Sequence, residues 1–252
     1  EYIIKNNLKL IKLDNNKNIS LAQMSFIKQQ LPDFLYQSYN VNLKYFLDKI
    51  EKYSINRDFF NINGTSQISI YLRFGLISPR QIFNTIKKLK IEYKYKEAYI
   101  RQLFWREFYS YLLYNFPKSQ FENFNNIKIK YSDNIEHFQQ WCEGNTGIPI
   151  IDASMKYLNQ TGLIHNRLRM IVSSFLTKNL FINWKWGEKY FASKLLDYET
   201  SSNIGSWQWA ASTGADSVPY FRVFNPYTQS QKFDKDAIFI KSVINKLKNV
   251  NP

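Results

Sequence analysis

The chain has 252 residues, 44% of them hydrophobic, which is enough for a sizeable core and far from the composition of a disordered polymer. Lysine and arginine outnumber aspartate and glutamate by 34 to 20, giving a formal charge of +14, and such a surplus attracts polyanions, nucleic acid above all. The single cysteine, Cys142, excludes an internal disulfide, and two histidines without Cys/His spacing argue against a metal centre. No apolar stretch is long enough to span a membrane and no signal-peptide pattern opens the chain, so a soluble intracellular protein is expected.

Residues 1–30 are polar and rich in Asn and Lys, and read as a leader or linker ahead of a helical domain at 31–252. Apolar spacing predicts a first helix over 42–52, with Leu43, Phe46, Leu47 and Ile50 on one side. The turn Asn63-Gly64 introduces Thr65-Ser66 and an apolar segment that Gly75 ends. Ser78-Pro79 opens the next helix as N-cap and first-turn proline. A longer helix covers 96–115 and stops at Pro117, and a polar loop fills 118–133. Further helices are expected at 135–142, from Pro149 to Gly162, over 165–180 and over 187–197, followed by a Trp-rich stretch at 207–211. Without strand–helix alternation, internal repeats or a G-x-G-x-x-G fingerprint, the reading is all-α, with ten or more helices expected.

Four segments combine residues of chemical interest. Gly64-Thr65-Ser66 with Ser69 offers hydroxyls and free N–H groups to a phosphate, although an ordinary capped helix is the simpler reading of that segment alone. Trp105-Arg106-Glu107-Phe108, preceded by Gln102, could anchor a core through its indole. His165-Asn166-Arg167-Leu168-Arg169-Met170 starts a helix with a polar end, which must meet solvent, an acid or an anionic ligand. Asp197 to Asn203, followed by Trp207-Gln208-Trp209, sets two acids, an amide and paired indoles across what reads as a flexible turn.

Together, WREFY (105–109), EGNTGIPIIDASM (143–155), HNRLRM (165–170) and WQWAASTGADSVPYFRVFNP (207–226) resemble the flavin-binding domain of class I cyclobutane-pyrimidine-dimer photolyases, in the photolyase/cryptochrome family. The resemblance runs from about Tyr53 to Ile244. It implies a multi-helix domain holding FAD, without the family's N-terminal α/β antenna domain, which is then missing, cut off or a separate polypeptide. Tyr53, Thr65, Ser66, Ile68 and Ser69 match positions around the FAD phosphates, and Arg169 and Asp197 match a pair beside the flavin ring. Asn203 matches the residue facing ring nitrogen N5, and Glu199 falls on the flavin's sugar side. Trp105, Asn166, Met170 and Trp209, with Gln102 nearby, match a slot for a flipped-out thymine pair, and Arg57, Arg167 and Arg222 match contacts to DNA phosphates. Trp207, Trp184 and Trp141 match a chain of tryptophans leading from flavin to surface.

The implied activity is light-driven repair of pyrimidine dimers in double-stranded DNA by a monomer, through electron transfer from FAD rather than acid–base or metal catalysis. Gln102 stands where repair enzymes of this class usually have Glu, Glu199 replaces a second Asp and Ile204 a second Asn. Tyr99 and Leu163 occupy positions often held by tryptophan. The rival readings are a cryptochrome-type FAD photoreceptor without repair and a basic helical module that binds nucleic acid without flavin.

Overall fold

A computed structural model describes residues 42–217, 219 and 222–250, so the expected leader at 1–30 lies outside the described residues. The described elements are helical, with one isolated bridge between Ser132 and Ile182. Helical residues 42–47 and a 3-10 turn at Ile50–Lys52 lead into α1 (Tyr53–Asn56), α2 (Ser69–Arg73), α3 (Pro79–Lys88) and the long α4 (Tyr93–Asn115). After the 118–133 connection come α5 (Ile135–Glu143), α6 (Pro149–Thr161) and α7 (Asn166–Ser174), which widens into a π turn at Phe175–Asn179. Then follow α8 (Trp184–Lys194), α9 (Thr200–Ala211), α10 (Pro226–Phe233) and α11 (Ile238–Val243).

Local chemistry explains most boundaries. Ser78 and Gln81 form a reciprocal capping box at the start of α3, and Pro79 occupies its first turn. At the other end the ammonium of Lys96 folds back onto the carbonyls of Lys87 and Leu89, satisfying orphan acceptors while its stem stays buried. Gly144 and Gly162 end α5 and α6 in the left-handed conformation. Between them the Asp152 carboxylate accepts from Thr146 N–H at 2.7 Å, Thr146 Oγ1 at 2.6 Å and Gly147 N–H at 3.0 Å, tying the turn to α6.

Three sequence expectations change. The helix expected over 165–180 leaves α geometry after Ser174. The helix expected over 187–197 runs from Trp184 to Lys194, because the Asn183 side chain caps it by accepting from Lys185 N–H. The flexible turn expected near 197–203 is largely helix: the Glu199 carboxylate accepts the N–H and hydroxyl groups of Ser201 and Ser202 and starts α9 at Thr200. Two helices not expected from the sequence, α10 and α11, follow. The turn between them is closed by the Asp234 carboxylate, which accepts from Phe239 N–H and Ile240 N–H.

Two apolar clusters hold the helices. The first gathers Phe46, Ile50, Tyr53, Ile68, Ile82, Ile86, Tyr99 and Ile100 around α1 to α4. The second gathers Trp141, Met155, Leu168, Val172, Leu176, Trp184, Phe191 and Trp207 around α5 to α9. α4 leaves the first cluster near Ile100 and presents Phe104, Trp105, Tyr111 and Tyr114 to solvent further along.

α9 lies between α8 and α4, and each crossing uses a glycine. A Cβ at Gly187 would overlap the Trp207 indole and Leu176, and a Cβ at Gly205 would overlap the Tyr109 ring. α9 is also sewn to the 119–124 segment by Gln208, whose Oε1 accepts from Phe124 N–H at 2.9 Å. Its Nε2 donates to Ser119 O at 2.6 Å and to Glu122 O at 3.1 Å. Gly187→Ala is expected to overpack the α8–α9 crossing and cost about 2 kcal/mol, seen as a fall of roughly 5 °C in thermal denaturation together with altered Trp207 fluorescence. An unchanged melting curve would refute the tight crossing.

Candidate functional site

The N-terminus of α7 brings several expected residues together. His165 is the N-cap, its Nδ1 accepting from Arg167 N–H at 3.1 Å. Burial pulls the His165 pKa down to about 4, so at neutral pH the ring is uncharged and its one proton sits on Nε2. One turn on, Arg169 Nε donates to Ile164 O at 2.9 Å, and its Nη2 reaches both Asp197 oxygens at 2.8 and 2.9 Å. The Asp197 side chain is 6% exposed and the Arg169 side chain 28%. This expected pair is therefore formed, and Arg169 Nη1 makes no hydrogen bond among the described residues.

Asn203, 8% exposed on α9, donates through Nδ2 to Glu188 Oε1 at 3.0 Å and to Glu188 O at 3.4 Å. Tyr198 OH donates to the same Glu188 oxygen at 3.3 Å. Both Glu188 oxygens, O and Oε1, accept from the amide nitrogen, which fixes the way the Asn203 amide points and leaves Oδ1 without a partner among the described residues. Sequence reasoning missed Glu188, because one acid on an amphipathic helix looks like a solvated charge; its signal was its place on α8, the helix crossing α9.

Glu199 is spent locally. Burial would raise its pKa, but hydrogen bonds from Ser202 and Ser201 outweigh that and hold it below the ordinary carboxylate value. All its hydrogen bonds run to the first turn of α9, so the expected ligand-side residue serves here as a helix cap.

At the other core, Tyr53 packs between Phe46 and Tyr99 at ring distances of 5.5 and 5.1 Å, and Tyr99 OH donates to Ser66 Oγ at 2.9 Å. Tyr99, flagged only as a departure in the sequence, thus orients one hydroxyl of the Thr65-Ser66-Ser69 group. Ile68 is 2% exposed within the core, so only its backbone is placed to meet a ligand.

Of the expected DNA-facing residues, Arg57, Gln102 and Arg167 are brought together, and the others make separate contacts. Arg57 Nη2 donates to Gln102 Oε1 at 3.3 Å, and Gln102 Nε2 donates to Ala98 O at 3.2 Å. Asp58 binds Arg167 Nη2 at 2.8 Å and lies 3.9 Å from Arg57 Nε. The Arg167 guanidinium also sits 4.5 Å from the Phe233 ring centroid, leaving the side chain only 15% exposed. Arg167 is thus held through Nη2 while its buried Nε has no partner among the described residues, and Arg222 is exposed. Trp105 is 42% exposed and backed by Phe108 and Tyr109 at 5.5 and 6.0 Å. Trp209 packs 5.7 Å from Phe224, and Asn166 Nδ2 approaches Met170 Sδ at 3.7 Å.

The three relay tryptophans are all buried: Trp207 is 2% exposed, Trp184 1% and Trp141 0%. Trp141 lies 6.0 Å from Trp207, edge to face, and donates from Nε1 to Val172 O. Trp184 instead donates to Asn123 Oδ1 at 2.9 Å. The expectation that this series leads outward is corrected: no member reaches the surface, because α5, α8 and α9 pack their indoles inward.

A cavity of about 10 Å3, room for about one water, lies between α4 and α9, lined by Tyr109, Ser201, Gly205, Gln208 and Asp216 among others. It opens on the side of α9 opposite Asn203 and Trp207, and Arg57, Gln102, Trp105, Arg169 and Asp197 are not among its lining residues. Among the described residues there is no cluster of acids, histidines or cysteines able to hold a metal, and no helix long and apolar enough to cross a membrane.

The geometry can be compared with known proteins. Residues 99–252 match the model of the FAD binding domain of DNA photolyase. The deoxyribodipyrimidine photo-lyase of Buchnera aphidicola subsp. Baizongia pistaciae is 46% identical over 229 residues, 87% of this chain and 46% of that protein. Among solved structures, a class III photolyase from Agrobacterium tumefaciens aligns with a TM-score of 0.82 and 38% identity, over 86% of this chain and 46% of that one. A cryptochrome from Synechocystis aligns at 0.80 and 31% identity, over the same shares. The chain spans about half the length of the relatives it matches. By sequence and by fold, the chain belongs to the family of FAD-binding domains of DNA photolyase, and its cofactor is FAD.

Proposed function

We propose that this domain repairs cyclobutane pyrimidine dimers in double-stranded DNA, using light. The observation that carries the proposal is the meeting of Arg57 with Gln102, from distant parts of the chain, one helical turn from the exposed indole of Trp105. A cation for phosphate, an amide for a base edge and an aromatic face for stacking are the three components a flipped, damaged base pair calls for.

The residues beside α7 and α9 fit FAD by their unspent chemistry. Among the described residues Arg169 Nη1 and Asn203 Oδ1 have no partner, each in a side chain otherwise fixed by an acid. The Ser66 hydroxyl oriented by Tyr99, with Thr65 and Ser69, suits phosphate oxygens. The chemistry that bound FAD supplies is light-driven donation of one electron to the dimer, followed by its return.

The protein's own residues bind and orient. Arg169, its charge balanced by Asp197, favours an electron-rich ring beside it. Asn203, held by Glu188, offers an oxygen and so favours a ring nitrogen that carries a proton. Gln102 hydrogen-bonds a pyrimidine edge without adding negative charge, and Trp105 supplies the wall against which the dimer stacks. A photoreceptor role would use the same flavin pocket, but would have no use for an exposed tryptophan beside paired arginine and glutamine.

Illuminating the purified, FAD-loaded chain with dimer-containing oligonucleotide is expected to remove the dimers, and persistence of the dimers under light would overturn the assignment. Trp105→Ala is expected to weaken binding of dimer DNA by about 1–3 kcal/mol, the usual worth of a base-stacking side chain, with flavin content retained. Equal affinity would count against the slot. Glu188→Gln frees the Asn203 amide to turn over, and is expected to shift the flavin midpoint potential by about 1 kcal/mol, roughly 20 mV for a two-electron couple. An unmoved redox titration would show that Glu188 does not act through Asn203.

A further inference from the structure

Lys178 is buried, 8% exposed, in the π turn at Phe175–Asn179. Its ammonium donates to Ser212 Oγ at 2.6 Å, Arg222 O at 3.1 Å and Pro219 O at 3.4 Å. Burial alone pulls its pKa down to about 8, a sign of how much water the folded chain removes from this charge. Burying an ammonium is costly unless each N–H finds an acceptor, and these acceptors come from one irregular stretch.

That stretch begins where α9 ends. Ser212 takes the left-handed conformation at φ 64°, turning the chain off the helix. Among the described residues from Ser212 to Phe224 there is no helix or strand, and its carbonyls find partners partly within it, as Pro219 O from Arg222 N–H at 2.9 Å and Gly214 O from Ser217 Oγ at 2.8 Å, and partly elsewhere. Asn125 meets its start, donating from Nδ2 to Gly214 O at 2.7 Å and from its own N–H to Thr213 O at 2.9 Å. At its far end Phe224 N–H donates to Ser174 Oγ at 3.2 Å, directly before the π turn. Lys178 therefore gathers positions 212, 219 and 222 at one point, while Asn125, Ser174 and Tyr109, which donates to Asp216 Oδ2 at 3.3 Å, hold the stretch elsewhere. Two side chains of functional interest depend on the path so fixed: Arg222, exposed, whose own carbonyl is held, and Trp209, which leans on Phe224.

We propose that Lys178 is a positioning residue for damaged DNA, its buried ammonium folding the stretch after α9 so that Arg222 and Trp209 face the duplex together. The proposal rests on the DNA-repair reading above and adds a residue that touches neither DNA nor flavin. The π turn is part of the device, since one extra residue per turn departs from the α-helical phase that continues α7.

The test uses the full FAD-loaded chain, as wild type, Lys178→Met and Lys178→Gln. Met matches the stem but donates nothing, whereas Gln keeps two donors. Hydrogen exchange without DNA is expected to speed up in Lys178→Met across 213–224 while α6 stays protected. Binding of dimer-containing duplex should weaken about tenfold in Lys178→Met and less in Lys178→Gln, with the loss falling on KM rather than on turnover at saturation. Unaltered exchange at 213–224, or unaltered affinity in Lys178→Met, overturns the proposal, as does a loss of protection spread equally over α6 and α7. A wild-type chain with no preference for dimer DNA sinks the repair reading instead, and Lys178 is then judged on undamaged duplex, where the same tenfold loss is expected.

Discussion

The close crossing of α9 over α8 fixes most of what lies around it. The Trp207 indole rests where Gly187 has no side chain, and on the other flank the Tyr109 ring rests on Gly205. Packed interiors deform in discrete steps rather than smoothly, so these two contacts set both the depth and the rotation of α9. On that helix Asn203 and Trp207 lie on one face, while Gln208 and Gly205 lie on the other. A rotation that freed one face would crowd the second, and this locks Asn203 against Glu188 at 3.0 Å.

Polar groups inside the domain are treated by a consistent rule. Charged or amide side chains are held by one partner that uses up part of their capacity and leaves a defined remainder. Asp197 takes Arg169 Nη2 and leaves Nη1; Glu188 takes Asn203 Nδ2 and leaves Oδ1. Orientation is thereby settled before any ligand arrives, which lowers the cost of binding it. Where the whole capacity is used internally, as for Glu199 around Ser201 and Ser202, the residue belongs to the scaffold instead. Arg167 follows the first pattern: Asp58 takes Nη2, and the buried Nε has no hydrogen-bond partner among the described residues.

Much of this was legible in the sequence, for physical reasons that can be named. Ser78-Pro79, Gly144 and Gly162 announce helix ends because few other residues suit those backbone positions. The motif segments carried the family, and with it the Arg169–Asp197 pair. What escaped was whatever depends on a partner far along the chain. The stretch 200–206 is rich in Ser, Asn and Gly and reads as a turn, yet a carboxylate at its start and two crossing helices make it helical. The start of α8 was displaced by an asparagine cap, and α10 and α11 hang on the Asp234 carboxylate between them. Burial of all three tryptophans was equally hidden, since an indole has the same spelling inside and outside a core.

Gln208 shows how narrow such solutions are. It stands between two tryptophans and is 2% exposed, with its oxygen facing one N–H and its nitrogen facing two carbonyls. Glutamate has almost the same outline, but it would set an oxygen against two other oxygens, at contacts of 2.6 and 3.1 Å. Shape alone therefore does not define what this position accepts. One atom's capacity to give rather than receive a proton decides it, so slow hydrolysis of that amide would turn a seam of the fold into a fault line.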